Sequence, residues 1–92
     1  MGYNRDKYLQ KKYGISLEQY DKMLENQEYR CGICGKHRRD SKLNFDVDHD
    51  HKTGLIRGLL CRYCNSYIMK HLRDNRIVAE GLVKYLDNWL KS

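Results

Sequence analysis

Two Cys-x-x-Cys pairs, Cys31-Gly-Ile-Cys34 and Cys61-Arg-Tyr-Cys64, are the first residues in this chain whose types and spacing can do chemistry. Four cysteines can form two disulfides or one metal site. Paired knuckles of this kind match a tetrahedral zinc site built from four thiolates. Met1-Gly2-Tyr3 runs straight into Asn4, Arg5, Asp6 and Lys7, with no secretory signal. A reducing compartment is therefore expected, which also disfavours disulfides. Twenty-six residues separate the pairs, more than a zinc ribbon uses, so another element is expected between them. That interval carries Asp48-His49-Asp50-His51, and Asn65 directly follows the last cysteine. A four-cysteine zinc site needs none of these residues.

The surplus residues suit phosphodiester hydrolysis, which needs an activated water, a Lewis acid on the phosphate and help for the leaving oxygen. Histidine titrates near neutrality, which makes His49 the best candidate general base. Asp48 offers a hard carboxylate oxygen and Asn65 a hard carbonyl oxygen, a pair that suits Mg²⁺ or Mn²⁺. His51 and Arg57 are candidates to hold the phosphate. Each residue also has a plainer reading. Asp48 can cap a turn, His49 can lie on the surface, and Asn65 can be an ordinary polar residue early in a helix. Asp50 reads first as a turn residue and second as a further metal ligand, and His37 and His71 read as surface residues. On an ideal strand Asp48 and His49 point to opposite faces, so the chain must end or curl there for both to serve one phosphate.

Six elements must position these groups. Residues 3–13 read as a helix with Tyr8, Leu9 and Tyr13 toward the core, ended by Gly14. Ser16-Leu-Glu-Gln19 reads as a capping box that opens a second helix, with Leu17, Tyr20, Met23 and Leu24 on one face. Residues 35–42 read as a polar loop, whose Lys36, Arg38, Arg39 and Lys42 are either solvated or set against a nucleic-acid backbone. Residues 43–48 alternate as a half-buried strand with Leu43, Phe45 and Val47 inward. Gly54 suits the turn, and residues 55–60 form the return strand, where Gly58 marks a bend or a close approach. A helix from Cys61 to about Asp74 carries Cys61, Cys64, Ile68 and Leu72 on one face. A last helix over about 77–91 bears a stripe of Val78, Leu82, Tyr85, Leu86, Trp89 and Leu90. The stripe reads first as core and second as a dimer interface.

Ninety-two residues allow one small domain with a modest core. The mean hydropathy is -0.89, and no stretch approaches the ~20 apolar residues of a membrane span. Eighteen Lys and Arg against twelve Asp and Glu leave a net charge of +6, which points to a polyanion such as nucleic acid. Proline is absent and aromatics make up 11%, which argues against linker-like and disordered classes.

Val47-Asp-His-Asp-His-Lys-Thr-Gly54, followed by Arg57-Gly-Leu-Leu-Cys-Arg-Tyr-Cys-Asn65, resembles the phage recombination endonuclease VII family. These are zinc-containing HNH, or His-Me finger, nucleases. Cys31-Gly-Ile-Cys34-Gly35 and the helix from Tyr13 to Gln27 match as well, so the resemblance spans about residues 13–72 and, more loosely, the last helix. It implies an α+β, mostly helical fold. A ββα-metal hairpin and helix over 31–74 would surround a structural zinc on Cys31, Cys34, Cys61 and Cys64. Helices over 1–30 and 75–92 would flank it. It also implies a DNA endonuclease with His49 as general base and Mg²⁺ or Mn²⁺ held by Asp48 and Asn65. The phage resolvases continue into a C-terminal domain that helps assemble their dimer; here the sequence ends at Ser92, so junction resolution is the less secure expectation. The partners expected are DNA and, through the last helix, a second copy. The location expected is intracellular, in host cytoplasm if the chain is phage-encoded. Two other classes fit the same residues. One is a zinc-stabilised nucleic-acid-binding module that cuts nothing; the other is a zinc-dependent module whose last helix binds a protein.

Overall fold

A computed structural model describes residues 4–91. Helix α1 covers Arg5–Tyr13 and opens on Asn4, whose side chain accepts the Lys7 N–H at 3.1 Å. The expected start at residue 3 lies outside the described residues. Helix α2 covers Leu17–Asn26 and begins with the capping box that its sequence signals. Ser16 Oγ accepts the Gln19 N–H at 3.0 Å, and Gln19 Oε1 accepts the Ser16 N–H at 2.7 Å. Asp6 accepts the Leu17 N–H at 2.7 Å and so ties α1 to α2. Tyr20 is buried on the predicted face, and its hydroxyl donates to the Phe45 carbonyl at 2.7 Å. Leu17, Met23 and Leu24 pack beside it, as do Leu9 and Tyr13 from α1, while Tyr8 is exposed.

The loop over 35–42 contains one short 3₁₀ turn, Arg38–Asp40. Strands β1 (Asp46–His49) and β2 (Ile56–Leu60) then form an antiparallel hairpin. Both strands start later than the alternation predicts, and Leu43 is exposed rather than inward. The reason is local. The Ser41 hydroxyl donates to the Leu43 carbonyl at 2.8 Å, and Arg38 donates to Asn44 at 2.7 Å, so loop contacts hold this stretch instead of a strand ladder. Phe45 and Val47 are buried as expected. Gly54 turns the hairpin at φ 78°, a region that favours glycine. Gly58 is a close approach: a Cβ there would lie 3.2 Å from Gln27 Oε1. That same oxygen accepts the Leu59 N–H at 2.8 Å, and Gln27 Nε2 donates to the Leu59 carbonyl at 2.9 Å. The end of α2 is thereby fastened to β2.

After Cys61 the chain is helical but not regular. A π-helical segment, Cys64–Met69, runs into the single turn α3 (Lys70–Leu72). A π turn spaces contacts by five residues rather than four. Met69 therefore packs against the core behind Cys64, and Ile68, predicted for that position, is exposed. Arg73 and Asp74 both take positive φ, 53° and 58°, and reverse the chain. Helix α4 covers Arg76–Lys91, capped by Asn75, which accepts the Val78 N–H at 3.0 Å.

The expectation that the α4 stripe is core is wrong. No residue of α4 is buried, and Leu82 and Leu86 remain 57% and 50% exposed. Leu9, Tyr20, Phe45, Val47, Leu59, Leu60 and three cysteines already close the core among α1, α2 and the hairpin. The described residues form a mostly helical α+β fold of four helices and one hairpin, with extents of 57 × 31 × 21 Å. Among the described residues no helix is long and apolar enough to cross a membrane.

Candidate active site

The hairpin and its knuckles bring Cys31, Cys34, Cys61 and Cys64 together, with all four sulfurs within 4.8 Å of one another. Cys34 Sγ and Cys61 Sγ are 3.8 Å apart, which is the edge of a tetrahedron with metal–sulfur distances of about 2.3 Å. The Ile33 and Cys61 N–H groups each donate to Cys31 Sγ at 3.4 Å. Burial, the largest single influence, would raise the Cys31 pKa, but these backbone donors together with the Cys34 N–H and thiol outweigh it and bring it down to about 6, favouring the thiolate. Burial pushes the Cys64 thiol up. The donor set, four soft sulfurs closing on one point, fits a structural metal such as zinc.

Beside it lies an open cleft of about 700 Å³ between α1, the hairpin and the helix that follows Cys61. Asp48, His49, His51, Arg57 and Asn65 all line it. The expected conflict between Asp48 and His49 is relieved by a break in the ladder. Asp48 pairs with Gly58 but His49 pairs with Ile56, so Arg57 is an extra residue in β2. Such a bulge adds twist and redirects side chains, and both residues reach the same cleft.

Asp48 is buried, and both its oxygens take bonds from Arg57: Nε to Oδ2 at 2.8 Å and Nη2 to Oδ1 at 3.2 Å. Arg57 Nη1 also reaches Asp74 at 3.0 Å, which holds the turn after α3 against the hairpin. These bonds raise the Arg57 pKa further, the Asp48 pairing most, so the guanidinium stays charged. A carboxylate has about four lone-pair sites, so Asp48 keeps acceptor capacity toward a cation. With Asn65 in the same cleft, the oxygen donors fit a hard divalent ion.

The His49 ring lies 4.8 Å from the His51 ring and 6.3 Å from the Tyr13 ring, centroid to centroid. Among the described residues no hydrogen bond occupies either of its nitrogens, which leaves them open to a water. Asp50 is spent on the turn. Its side chain accepts the Lys52 N–H at 2.8 Å, and this bond first of all lowers its pKa. His37 accepts the Arg39 N–H at 3.1 Å, and His71 meets the Tyr67 carbonyl at 3.0 Å, so both are engaged outside the cleft.

The cleft also includes Lys12, Lys52, Ser66, Lys70, Arg73 and Asp74, which the sequence analysis does not single out. Ser66, Lys70 and Arg73 recur at helical spacing after Asn65, a signal that was available. Lys12 and Asp74 arrive from distant elements and carry no local signal. Five cationic side chains thus face two carboxylates. The loop cluster of Lys36, Arg38, Arg39 and Lys42 is not part of the lining.

The recombination endonuclease VII model matches residues 6–88. The chain belongs to this family. The match takes in the sulfur cluster, the bulged hairpin and the cleft together. Among its relatives, the Gene 59 protein of Mycobacterium phage D29 is 46% identical over 78 residues, covering 80% of this chain and 44% of the relative. The Gene 59 protein of Mycobacterium phage L5 is 42% identical over 76 residues, covering 83% and 46%. The chain therefore spans less than half the length of these curated relatives. No solved structure gives a match.

Proposed function

We propose that this protein is a metal-dependent endonuclease of the HNH, His-Me finger type that hydrolyses phosphodiester bonds in DNA. The observation that carries the reading is the meeting of His49, Asp48 and Asn65 in one cationic cleft beside a four-cysteine cluster. His49 takes the proton from the attacking water as its oxygen bonds to phosphorus, and the bond to the leaving oxygen breaks. Asp48 and Asn65 supply the oxygens that hold Mg²⁺ or Mn²⁺. Such an ion, when bound, polarises the phosphate and stabilises the leaving oxygen. His51 and Arg57 hold the phosphate, and Lys12, Lys52, Lys70 and Arg73 attract the DNA backbone on either side. Zinc on Cys31, Cys34, Cys61 and Cys64 keeps the knuckles and the helix of Asn65 in register. The protein acts inside the cell, in host cytoplasm if phage-encoded, and α4 pairs it with a second copy.

The test is cleavage of supercoiled plasmid, linear duplex and a four-way junction with Mg²⁺ or Mn²⁺. Nicking of at least one, lost in excess EDTA, is expected. A second reading, a zinc-stabilised module that binds DNA without cutting, draws on the double hold of Arg57 on Asp48. Salt-sensitive binding with no cleavage of any of the three DNAs contradicts the endonuclease and favours the module.

A further inference from the structure

One carboxylate outside the cleft lining, Asp46, bonds to a residue within it, Asn65. Asp46 lies two residues before Asp48 in β1, and strand alternation turns both away from the core face that carries Phe45 and Val47. Its side chain is 17% exposed. Asp46 Oδ2 accepts two bonds, from Arg62 Nε at 2.8 Å and from Asn65 Nδ2 at 3.3 Å. A carboxylate only accepts, whereas an amide has one donating and one accepting end. Asn65 can therefore turn only its nitrogen to Asp46. Its carbonyl oxygen is left for the cleft, which Asn65 lines together with Asp48. Arg62 donates to the same Asp46 oxygen, so the amide is oriented by a partner that is itself held.

We infer that Asp46 is a positioning residue that orients the Asn65 amide and presents its oxygen to a hard divalent cation in the cleft. The inference rests on the reading of Asn65 as a metal ligand. Partners of this kind fix the direction of a ligand, and their loss costs about 10–100-fold in metal affinity.

The experiment measures Mn²⁺ binding to the zinc-loaded protein by electron paramagnetic resonance. Zinc content and thermal melting report on the fold. Asp46→Ala and Asp46→Val both remove the acceptor, and valine also favours the strand. Either one, once folded, is expected to bind Mn²⁺ roughly 10–100-fold more weakly than wild type. Asp46→Asn, whose own amide oxygen can accept from Asn65, is expected to bind close to wild type. Wild-type Mn²⁺ affinity in Asp46→Ala or Asp46→Val overturns the inference. So does an Asp46→Asn variant as weak as Asp46→Ala, because charge rather than orientation is then at work. If neither Asp46→Ala nor Asp46→Val folds with zinc, Asp46 serves the fold and the inference falls. Asn65→Ala separates the two levels. If it binds Mn²⁺ like wild type, Asn65 is no ligand and the inference fails with that reading. If it binds weakly while Asp46→Ala binds normally, the ligand reading stands and only the positioning is wrong.

Discussion

Asp48 shows how one residue can serve two tasks. It is buried beneath Arg57, with both oxygens engaged, and it faces the same cleft as Asn65. A buried carboxylate without a partner is costly, and Arg57 supplies that partner and holds Asp48 in place. Its second partner, Asp74, draws the arginine toward the turn after α3. Asp48→Ala is expected to abolish Mg²⁺-dependent cleavage while one zinc per chain is retained, measured by metal analysis beside the plasmid assay. Zinc lost in step with activity would show that the two metal sites are one. Much of this constellation was legible in the sequence. Asp48, His49 and Asn65 stand out because a four-cysteine site does not need them. Asp46 was open to the same reasoning, since positions i and i+2 of a strand share a face. Lys12 and Asp74 were not legible, because their place in the cleft depends on how α1 and the turn after α3 pack.

Elements were legible where their signals are local. The capping box at Ser16 and Gln19 satisfies backbone groups within one turn, so spacing alone reveals it. The π segment depends on one extra residue in the helical ladder, which no pattern of apolar residues announces. It moves the core contact from Ile68 to Met69 and sets the direction of the turn bearing Asn65. The bulge at Arg57 is similar: alternation predicts both strands but not the residue left over between them. Gln27 is the device that fixes β2 next to that bulge. Its amide bonds both the N–H and the carbonyl of Leu59, a residue fully buried. Gln27→Ala leaves the Leu59 N–H without this partner and is expected to cost about 1–3 kcal/mol. In a domain of this size each kcal/mol lowers the melting temperature by roughly 4–8 °C. Calorimetry that finds no shift would show that Gln27 does not fasten the hairpin.

At the scale of the whole molecule the chain divides its apolar residues between a closed core and an exposed stripe. The periodicity of α4 identified an amphipathic helix but could not say what covers it, because a stripe reads the same against its own core or a partner. Leu82 and Leu86, half or more exposed, are large apolar side chains of the kind that interfaces bury. A second copy is the occupant in the account given above. Sedimentation of the wild-type protein is expected to show a dimer and that of Leu86→Asp a monomer; a wild-type monomer at every concentration contradicts the pairing. The central claim concerns the cleft, and it is that His49 removes the proton from the attacking water. The most direct measurement is the Mg²⁺-dependent rate of plasmid nicking by His49→Ala beside wild type, with zinc content and DNA affinity checked in both. General base catalysis contributes about 10²–10⁴-fold, so a loss of that size with fold, zinc and binding intact is expected. His51→Ala, altered only in a phosphate contact, is expected to lose less. Nicking by His49→Ala at the wild-type rate would contradict the account.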